Sequence, residues 1–411
     1  MLKLNDKYIK LVNDEEKGLT SIFNEIDNNC YQNSKKVLDA YHKYNVSESD
    51  LNGTTGYGYN DMGRDKIEKC FAYVLDSEDA LVRTQIISGT HAITVALFAL
   101  LRPNDTLLSI TGLPYDTLHE IIGIKDNNSS LKSYNINYKM IDLIDNDFDY
   151  EKIKEELKNN PKVIHIQRSR GYSLRDSLTI DKIEKVIKFI KNINKNIIIF
   201  VDNCYCEWVE SKTPTLVGAD LMAGSLIKNL GGGIAHNGGY IAGKKELVHL
   251  CAERLNVPGE ANEVGPTDNA NRLFLQGLYL SPSVVASSLK TSILTSKVLE
   301  KLGYEVSPKY NEPRADIVEL IYLKNEKNMI KYSSGIQGAG VIDGNVEPIP
   351  SDMPGYEDKV IMASASFIQG SSIEISCDGP IRKPYVIFQQ GAITYEYGKL
   401  ALINAISKLN E

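Results

Sequence analysis

Short apolar segments alternate with longer amphipathic segments between residues 80 and 300, and this alternation limits the possible folds most strongly. VIHIQ (163–167) predicts a buried strand, IDKIEKVIKFIKNI (180–193) an amphipathic helix, and IIIFV (197–201) the next strand. Repeated strand–helix units predict an α/β fold, in which helices cover both faces of a mainly parallel sheet. Ligands of such sheets bind where the strands end at their carboxyl side, so the loops after the strands are the expected place for a site.

The chain has 411 residues, which is enough for more than one domain. The pattern predicts an N-terminal helical arm with a glycine-rich loop over 1–60, a large domain over 61–290 and a smaller α+β domain over 291–411. A long helix over 280–306 leads into this last unit. Its predicted elements are the strands ADIVELIYL (315–323), KVIMASASF (359–367) and SIEIS (372–376) and the helix ALINAISKL (401–409).

Composition argues against several classes of function. The net charge is −7 and no run of Lys or Arg is sustained, so nucleic acid is not an expected partner. The six cysteines have no C-x-x-C or Cys/His spacing, so neither a metal site nor a disulfide framework is predicted. The N-terminal segment is charged throughout, and no segment approaches the roughly 18 apolar residues of a membrane span. We therefore expect a cytoplasmic protein without a membrane partner.

Lys228 stands between an apolar run and a glycine cluster in GADLMAGSLIKNLGGGIAHNGGYIAG (218–243). A lysine among small and apolar residues either reaches water or loses its charge chemically, and a Schiff base to an aldehyde cofactor would remove that charge. Asp202 ends the strand-like run IIIFV at a distance of 228 − 202 = 26 residues. For either residue alone, an exposed lysine or an ordinary strand-end acid remains the alternative.

The loop ISGTHAITV (87–95) has the features of an anion site. Ser88, Gly89 and Thr90 follow a predicted strand and begin a predicted helix, where free N–H groups and the helix dipole favour an anion. The loop is neither a Walker loop nor a G-x-G-x-x-G motif, so a nucleotide is not favoured. A simple capped helix is the alternative, and His91 either lies near a bound ring or merely packs.

Three arginines, Arg168, Arg170 and Arg175, occur in QRSRGYSLRDSL (167–178), directly after a predicted strand. A loop at the strand ends would supply cations to an anionic substrate. Arg168 and Arg170 are therefore candidate substrate-binding residues, with a solvated basic loop as the alternative.

The lysine segment, with Ser225 three residues before Lys228, resembles the lysine region of fold-type-I pyridoxal phosphate (PLP) enzymes. Nearly the whole chain is similar to the cystathionine β-lyase and methionine γ-lyase superfamily, in its aluminium-resistance branch. The chain departs from the mainstream lyases after the lysine, where it has GGG and then His236 instead of Gly-Gly-His. The strings that carry the similarity are YGYNDMGRD (57–65), SGTHAI (88–93), QRSRGY (167–172), VDNCYCEWVE (201–210), IKNLGGGIAHNGGY (227–240), FIQGSSIE (367–374) and DGPIR (378–382).

The resemblance implies PLP as the cofactor. Lys228 would form the Schiff base, and Asp202 would pair with the pyridinium nitrogen. Tyr115, in TGLPYDTLHE (111–120), would stack on the pyridine ring. The phosphate would be held by Ser225 together with the loop residues Ser88, Gly89 and Thr90.

The resemblance also implies roles for residues outside this group. Tyr57, Tyr59 and Arg64 would cross a subunit interface to a neighbour's phosphate, which implies a homodimer or homotetramer with the cofactor site at the interface. Arg382, in a Gly/Pro turn after a strand, would bind the α-carboxylate of an amino-acid substrate.

The expected function is that of a PLP-dependent carbon–sulfur lyase. By β- or γ-elimination it would convert a sulfur-containing amino acid such as cystathionine or methionine into a 2-oxo acid, ammonia and a thiol. Lys228, Tyr115 and Asp202 would be the catalytic residues. A PLP-dependent replacement transferase (synthase) and a non-catalytic metal-tolerance protein are the alternatives.

Overall fold

Two β-sheets organise the computed structural model, which describes residues 4–353 and 356–410. Residues 1–3 of the predicted N-terminal arm lie outside this range. The strands are β1 (Asp79–Arg83), β2 (Thr106–Ser109), β3 (Asn137–Met140), β4 (Val163–Gln167), β5 (Ile198–Asp202), β6 (Leu221–Ser225), β7 (Gly239–Gly243), β8 (Glu305–Ser307), β9 (Glu319–Tyr322), β10 (Val360–Ser364), β11 (Ser376–Pro380) and β12 (Val386–Gln390). The helices are α1 (Asp6–Glu16), α2 (Thr20–Lys43), α3 (Met62–Val74), α4 (Gly89–Leu100), α5 (His119–Ile122), α6 (Tyr150–Glu156), α7 (Ile180–Ile193), α8 (Lys245–Leu255), α9 (Asn271–Lys301), α10 (Glu326–Gly338) and α11 (Tyr395–Leu409).

The larger sheet has seven strands in the order β1-β7-β6-β5-β4-β2-β3. Strands β3, β2, β4, β5 and β6 are parallel, whereas β7 runs antiparallel to both β6 and β1. Side chains along β5 alternate between the faces: Phe200 joins one buried cluster, and Ile199 and Val201 join the other. Both faces are therefore apolar and covered by helices, which confirms the predicted α/β class with a mainly parallel sheet.

The second sheet has five antiparallel strands in the order β10-β11-β12-β9-β8. The predicted strand at 372–376 is displaced, because β11 begins only at Ser376. Residues before it form a loop that Glu374 ties together, since its carboxylate accepts hydrogen bonds from the N–H groups of Phe367 and Ile368 at 2.8 and 3.1 Å. The strands β8 and β12 were not predicted; the helix predicted over 280–306 ends at Lys301, and β8 follows it.

Helix α9 is 31 residues long and passes through the predicted domain boundary at residue 290. The N-terminal helices lie against it, with Lys290 Nζ 2.6 Å from Asp27 Oδ1 of α2. The three domain ranges thus remain a prediction. In the described part of the chain, no helix combines the length and the apolar character needed to cross a membrane.

Candidate active site

A crevice lies at the carboxyl ends of the parallel strands and brings five predicted residues together: Lys228, Asp202, Tyr115, Gly89 and Thr90. Strands β5 and β6 are neighbours, and Asp202 pairs in register with Ala223, so 26 residues of sequence separation (228 − 202) become a short distance in space. The other lining residues are Ile93, Thr117, Leu118, Gln167, Ser169, Gly171, Cys204 and Tyr205.

Lys228 lies where the chain leaves β6 and enters a short turn of 3₁₀-helix at 229–231. Its Nζ atom lies 3.9 Å from the centroid of the Tyr205 ring, a cation–π contact that the sequence did not predict. Burial opposes the ammonium form, but Cys204, Tyr205 and Asp202 stabilise it and raise the pKa of Lys228 above its ordinary value. The surroundings therefore favour positive charge at this nitrogen.

Asp202 is the last residue of β5 and is buried. Its Oδ1 atom accepts a hydrogen bond from the N–H of Cys204 at 3.1 Å, which fixes the carboxylate at the strand end. On the adjacent strand β4, burial lowers the pKa of His165 to about 4 although Asp202 opposes the shift. The imidazole is therefore neutral near pH 7, and it adds no positive charge beside Asp202.

The start of α4 meets the end of β6 next to this acid. Ser88 caps the helix by accepting from the N–H of His91 at 3.0 Å. A Cβ atom on Gly89 would lie 3.2 Å from Cβ of Ser225, so a glycine lets the two loops approach closely. Ser225 Oγ is buried and has no hydrogen-bond partner in the described chain, and the first-turn N–H groups of a helix need acceptors. An anion would satisfy both.

His91 packs against its own loop. Its Nδ1 atom accepts a hydrogen bond from the N–H of Ile87 at 3.2 Å, and burial lowers the pKa of the ring. Of the two possibilities that the sequence left open, these contacts favour packing.

Tyr115 is held in place from both ends. Its N–H donates to Gln167 Oε1 at 2.7 Å, and its hydroxyl is 2.6 Å from that of Tyr356. Its ring centroid is 5.8 Å from that of Tyr172, whose hydroxyl donates to Asp378 Oδ2 at 2.9 Å. Tyr172, Tyr356 and Asp378 were not predicted, and they extend the crevice towards the second sheet.

The predicted arginines are not among the residues that line the crevice. The Arg168 guanidinium is buried and bonds to the Leu178 carbonyl, Asn203 and Glu210. Arg170 points towards the second sheet, where its Nη1 donates to the hydroxyl and carbonyl of Ser307. Arg382 lies in the turn between β11 and β12 and pairs with Asp358 at 2.9 Å, with its side chain more than half exposed.

The loop that contains Tyr57, Tyr59 and Arg64 also lies outside the crevice. Arg64 is buried and donates to the carbonyl groups of Gly58 and Gly265 at 2.7 and 3.1 Å, so it holds the loop to the rest of the chain. Tyr57 and Tyr59 are exposed and stack on each other with ring centroids 5.5 Å apart. A stacked, exposed aromatic pair is a surface feature suited to contact with another molecule.

Glu207 is buried behind the lysine turn. Its Oε1 atom accepts from the Tyr240 hydroxyl at 2.7 Å, while Oε2 has no partner in the described residues. Burial raises the pKa of Glu207 from 4.5 to about 7, and the Tyr240 hydrogen bond and Lys228 counteract only part of this rise. The folded chain therefore binds the Glu207 proton more strongly than the unfolded chain does.

The free energy of unfolding should consequently decrease as pH rises from 4.5 through 7, and Glu207→Gln should remove this decrease. A pKa rise from 4.5 to about 7 corresponds to a total decrease of about 3 kcal/mol in the free energy of unfolding. We expect the variant to be more stable than wild type by less than about 1 kcal/mol at about pH 5 and by about 3 kcal/mol at about pH 8.5. Urea unfolding at both pH values measures this difference.

Glu184→Gln is the matched control, because Lys188 and Lys212 lower the pKa of that surface carboxylate. Glu184→Gln should show no gain in the free energy of unfolding over wild type at the higher pH. An equal effect of Glu207→Gln at both pH values would contradict the assignment of the pKa rise to Glu207.

Comparisons with known proteins agree with this architecture. The family model for methionine gamma-lyase matches residues 8–410. The uncharacterized protein YnbB of Bacillus subtilis (strain 168) is 47% identical over 397 residues, which are 96% of this chain and 94% of that protein. A solved structure from Listeria monocytogenes, provisionally named a cystathionine beta-lyase involved in aluminum resistance, has a TM-score of 0.95 and 47% identity, and the match covers 97% of this chain and 99% of that one.

A more distant match concerns the fold alone. The pyridoxal-5'-phosphate dependent protein YhfS from Escherichia coli has a TM-score of 0.62 at 17% identity, over 92% of this chain and 96% of that one. The predicted fold-type-I architecture and the predicted superfamily branch are both confirmed. Since the family model spans nearly the whole sequence, the protein belongs to the methionine gamma-lyase family.

Proposed function

We propose that this protein is a PLP-dependent carbon–sulfur lyase that converts a sulfur-containing amino acid and water into a 2-oxo acid, ammonia and a thiol. The observation that carries the proposal is the meeting of Lys228, Asp202 and Ser225 at one end of the parallel sheet, where the Ser225 hydroxyl has no partner among the described residues. An amine, a carboxylate and an anion site are the three groups that an aldehyde cofactor with a pyridine nitrogen and a phosphate requires.

The residues present fit this cofactor. Ser225 Oγ and the N-terminus of α4 offer hydrogen-bond donors to a phosphate, and Gly89 leaves room beside them. Asp202 offers a fixed carboxylate to a protonated ring nitrogen, and Tyr115 offers an aromatic wall. When bound, PLP supplies an aldehyde that condenses with amines and a ring that accepts the electron pair of a deprotonated α-carbon.

Lys228 would hold the cofactor and then serve as the general base. Its Nζ atom lies against the Tyr205 ring face, which orients the amine within the crevice. We propose that it takes the α-proton of the amino-acid substrate and donates a proton to the thiolate sulfur that leaves. The phenol of Tyr115, held by Gln167 and Tyr356, would keep the pyridine ring of the cofactor in position and exclude water from that face.

We also propose a homodimer or homotetramer. The exposed pair Tyr57 and Tyr59 supports a subunit contact, with Arg64 as the residue that holds their loop in place. Arg382 and Arg170 remain proposed substrate contacts, although both now bond to protein groups, and the contacts of Arg168 support a structural role. A cytoplasmic location stays part of the proposal.

Loading the protein with PLP and supplying S-ethyl-L-cysteine, L-cystathionine or L-methionine tests the proposal. We expect a visible absorbance band of the lysine-bound cofactor, and release of a 2-oxo acid and a thiol from at least one substrate. Addition of a second thiol separates elimination from replacement, because a transferase would form a new thioether in place of the 2-oxo acid. A loaded protein that releases neither product would refute the lyase proposal.

A further inference from the structure

Asp378 is a titratable group beside the crevice with an unmet hydrogen-bonding requirement. It lies on β11, at the part of the second sheet that faces Tyr172. Tyr172 satisfies Oδ2, whereas Oδ1 is inaccessible to water and has no hydrogen-bond partner in the described chain. Leaving a buried carboxylate oxygen unpaired is costly, so its environment calls for a donor that the described residues do not supply.

The charge of Lys228 reaches this carboxylate. Burial raises the pKa of Asp378 to about 6, while the Tyr172 hydrogen bond and the positive charge of Lys228 oppose the rise. Near pH 7 the carboxylate is therefore mainly ionised. Under the proposed function Lys228 is engaged by the cofactor, so the substrate is the next possible source of a cation near Asp378.

Aromatic rings enclose the same space. The centroid of Tyr172 is 5.8 Å from that of Tyr115, 5.5 Å from that of Tyr356 and 5.1 Å from that of Phe388. Tyr115, Tyr172, Tyr356 and Asp378 each keep part of their surface accessible, although Oδ1 of Asp378 itself is covered. A carboxylate among tyrosine rings is a typical environment for a cation, which gains both from the charge and from the negative ring faces. An anionic group would meet repulsion there.

Two other roles for Asp378 fit the contacts less well. As a mere partner of Tyr172 it would need only Oδ2, and an asparagine or a water would serve the tyrosine equally at a lower cost of burial. As a partner of the predicted cation Arg382 it is not used, because that guanidinium pairs with Asp358. The free oxygen is explained best by an incoming N–H donor.

We propose that Asp378 determines substrate specificity by pairing with a positively charged group at the far end of the substrate side chain. The substrate class is then a thioether amino acid whose leaving thiol carries an ammonium group. This inference rests on the proposed function and deepens it, because it chooses cationic over neutral and anionic sulfur amino acids.

Three amino acids that cannot undergo carbon–sulfur cleavage provide a binding test: L-lysine, L-norleucine and L-2-aminoadipate carry a terminal ammonium, methyl and carboxylate on closely matched chains. By titration calorimetry of the PLP-loaded protein, we expect lysine to bind at least about tenfold more tightly than norleucine and 2-aminoadipate to bind most weakly. The thioether counterparts, S-(2-aminoethyl)-, S-ethyl- and S-carboxymethyl-L-cysteine, should follow the same order in kcat/KM.

Asp378→Asn should abolish the preference for lysine while changing norleucine binding less than about twofold, because only the charge pair is lost. Tyr172→Phe keeps the Asp378 carboxylate but removes the hydroxyl that donates to it, so this variant should retain the preference for lysine. If Asp378→Asn fails to fold, Tyr172→Phe provides the test instead. Glu357→Gln removes an exposed acid that pairs with Lys125 on the nearby rim, so it controls for general attraction of cations and should leave the order unchanged.

Equal binding of the three amino acids, or an equal loss of all three in Asp378→Asn, would overturn the inference. Cleavage of S-ethyl-L-cysteine without any preference for the cationic substrate would overturn it and leave the lyase proposal intact. A clear calorimetric preference for lysine in a protein that cleaves none of the thioethers would support the cation site and refute the lyase.

Discussion

Replacing Lys228 by alanine should leave a folded protein that no longer retains PLP covalently. Its rate of 2-oxo acid formation should fall by a factor of at least about 10⁴, which is the upper range for removal of a general base. In the described chain, Lys228 carries the only amine among the side chains that line the crevice. Its Nζ lies against the Tyr205 ring, and the described residues place no carboxylate within salt-bridge distance of it. The substitution should therefore lower the catalytic rate and leave the free energy of unfolding almost unchanged.

Mass spectrometry after borohydride reduction measures the covalent cofactor, and a coupled assay for the 2-oxo acid measures the rate. Lys188→Ala is the matched control, because that exposed amine pairs with Glu184 on the surface of α7. The control should keep both the cofactor mass and the rate. Covalent cofactor at full occupancy in Lys228→Ala would mean that another amine holds PLP and that the proposed site is misplaced.

The positions of Lys228 and Asp202 could be predicted from the sequence because parallel sheets impose them. A buried five-residue strand delivers its last residue to one edge of the sheet, and β4 and α7 have the predicted bounds. The same rule led from the loop after β1 to Ser88 and Gly89, although it did not predict that Gly89 would approach Ser225.

The second wall of the crevice could not be predicted in the same way. Asp378 lies beside Tyr172 because β11 begins at Ser376. The conformation of the loop before this strand depends on the hydrogen bonds that Glu374 accepts, and no apolar pattern in the sequence indicates it. Tyr172 and Tyr356 come from irregular segments, where periodicity carries no signal. Their roles depend on contacts between residues distant in sequence.

The arginines show a different limit. Arg170 lies between Ser169 and Gly171, which both line the crevice, yet its own side chain reaches Ser307 on β8. Residue type and approximate position indicated a cation at the strand ends. The direction of the side chain depends on the backbone of one loop, and the sequence does not specify that direction by any simple pattern.

The glycine cluster after Lys228 leads to the second large prediction, Gly231→Ala. A Cβ atom at this position would lie only 1.6 Å from the carbonyl oxygen of Leu226 and 2.9 Å from Cβ of Ala235. Helix α9 closes the other side, because a Cβ on Gly277 would lie 2.4 Å from the Gly231 carbonyl oxygen. The nearest neighbours are the Leu226 backbone and the short side chain of Ala235, and neither is a flexible side chain that can move aside. We expect a loss of at least about 4 kcal/mol in the free energy of unfolding.

Urea unfolding of the cofactor-free protein measures this loss, and PLP affinity should fall with it because the displaced turn carries Lys228. Gly338→Ala on α10 is the matched control: its new methyl would meet nothing closer than Asn404 Nδ2 at 3.3 Å, so stability should change by no more than about 1 kcal/mol. An unchanged unfolding free energy in Gly231→Ala would show that the turn has room to shift. The close packing against Leu226 and α9 would then not be what fixes the lysine in the crevice.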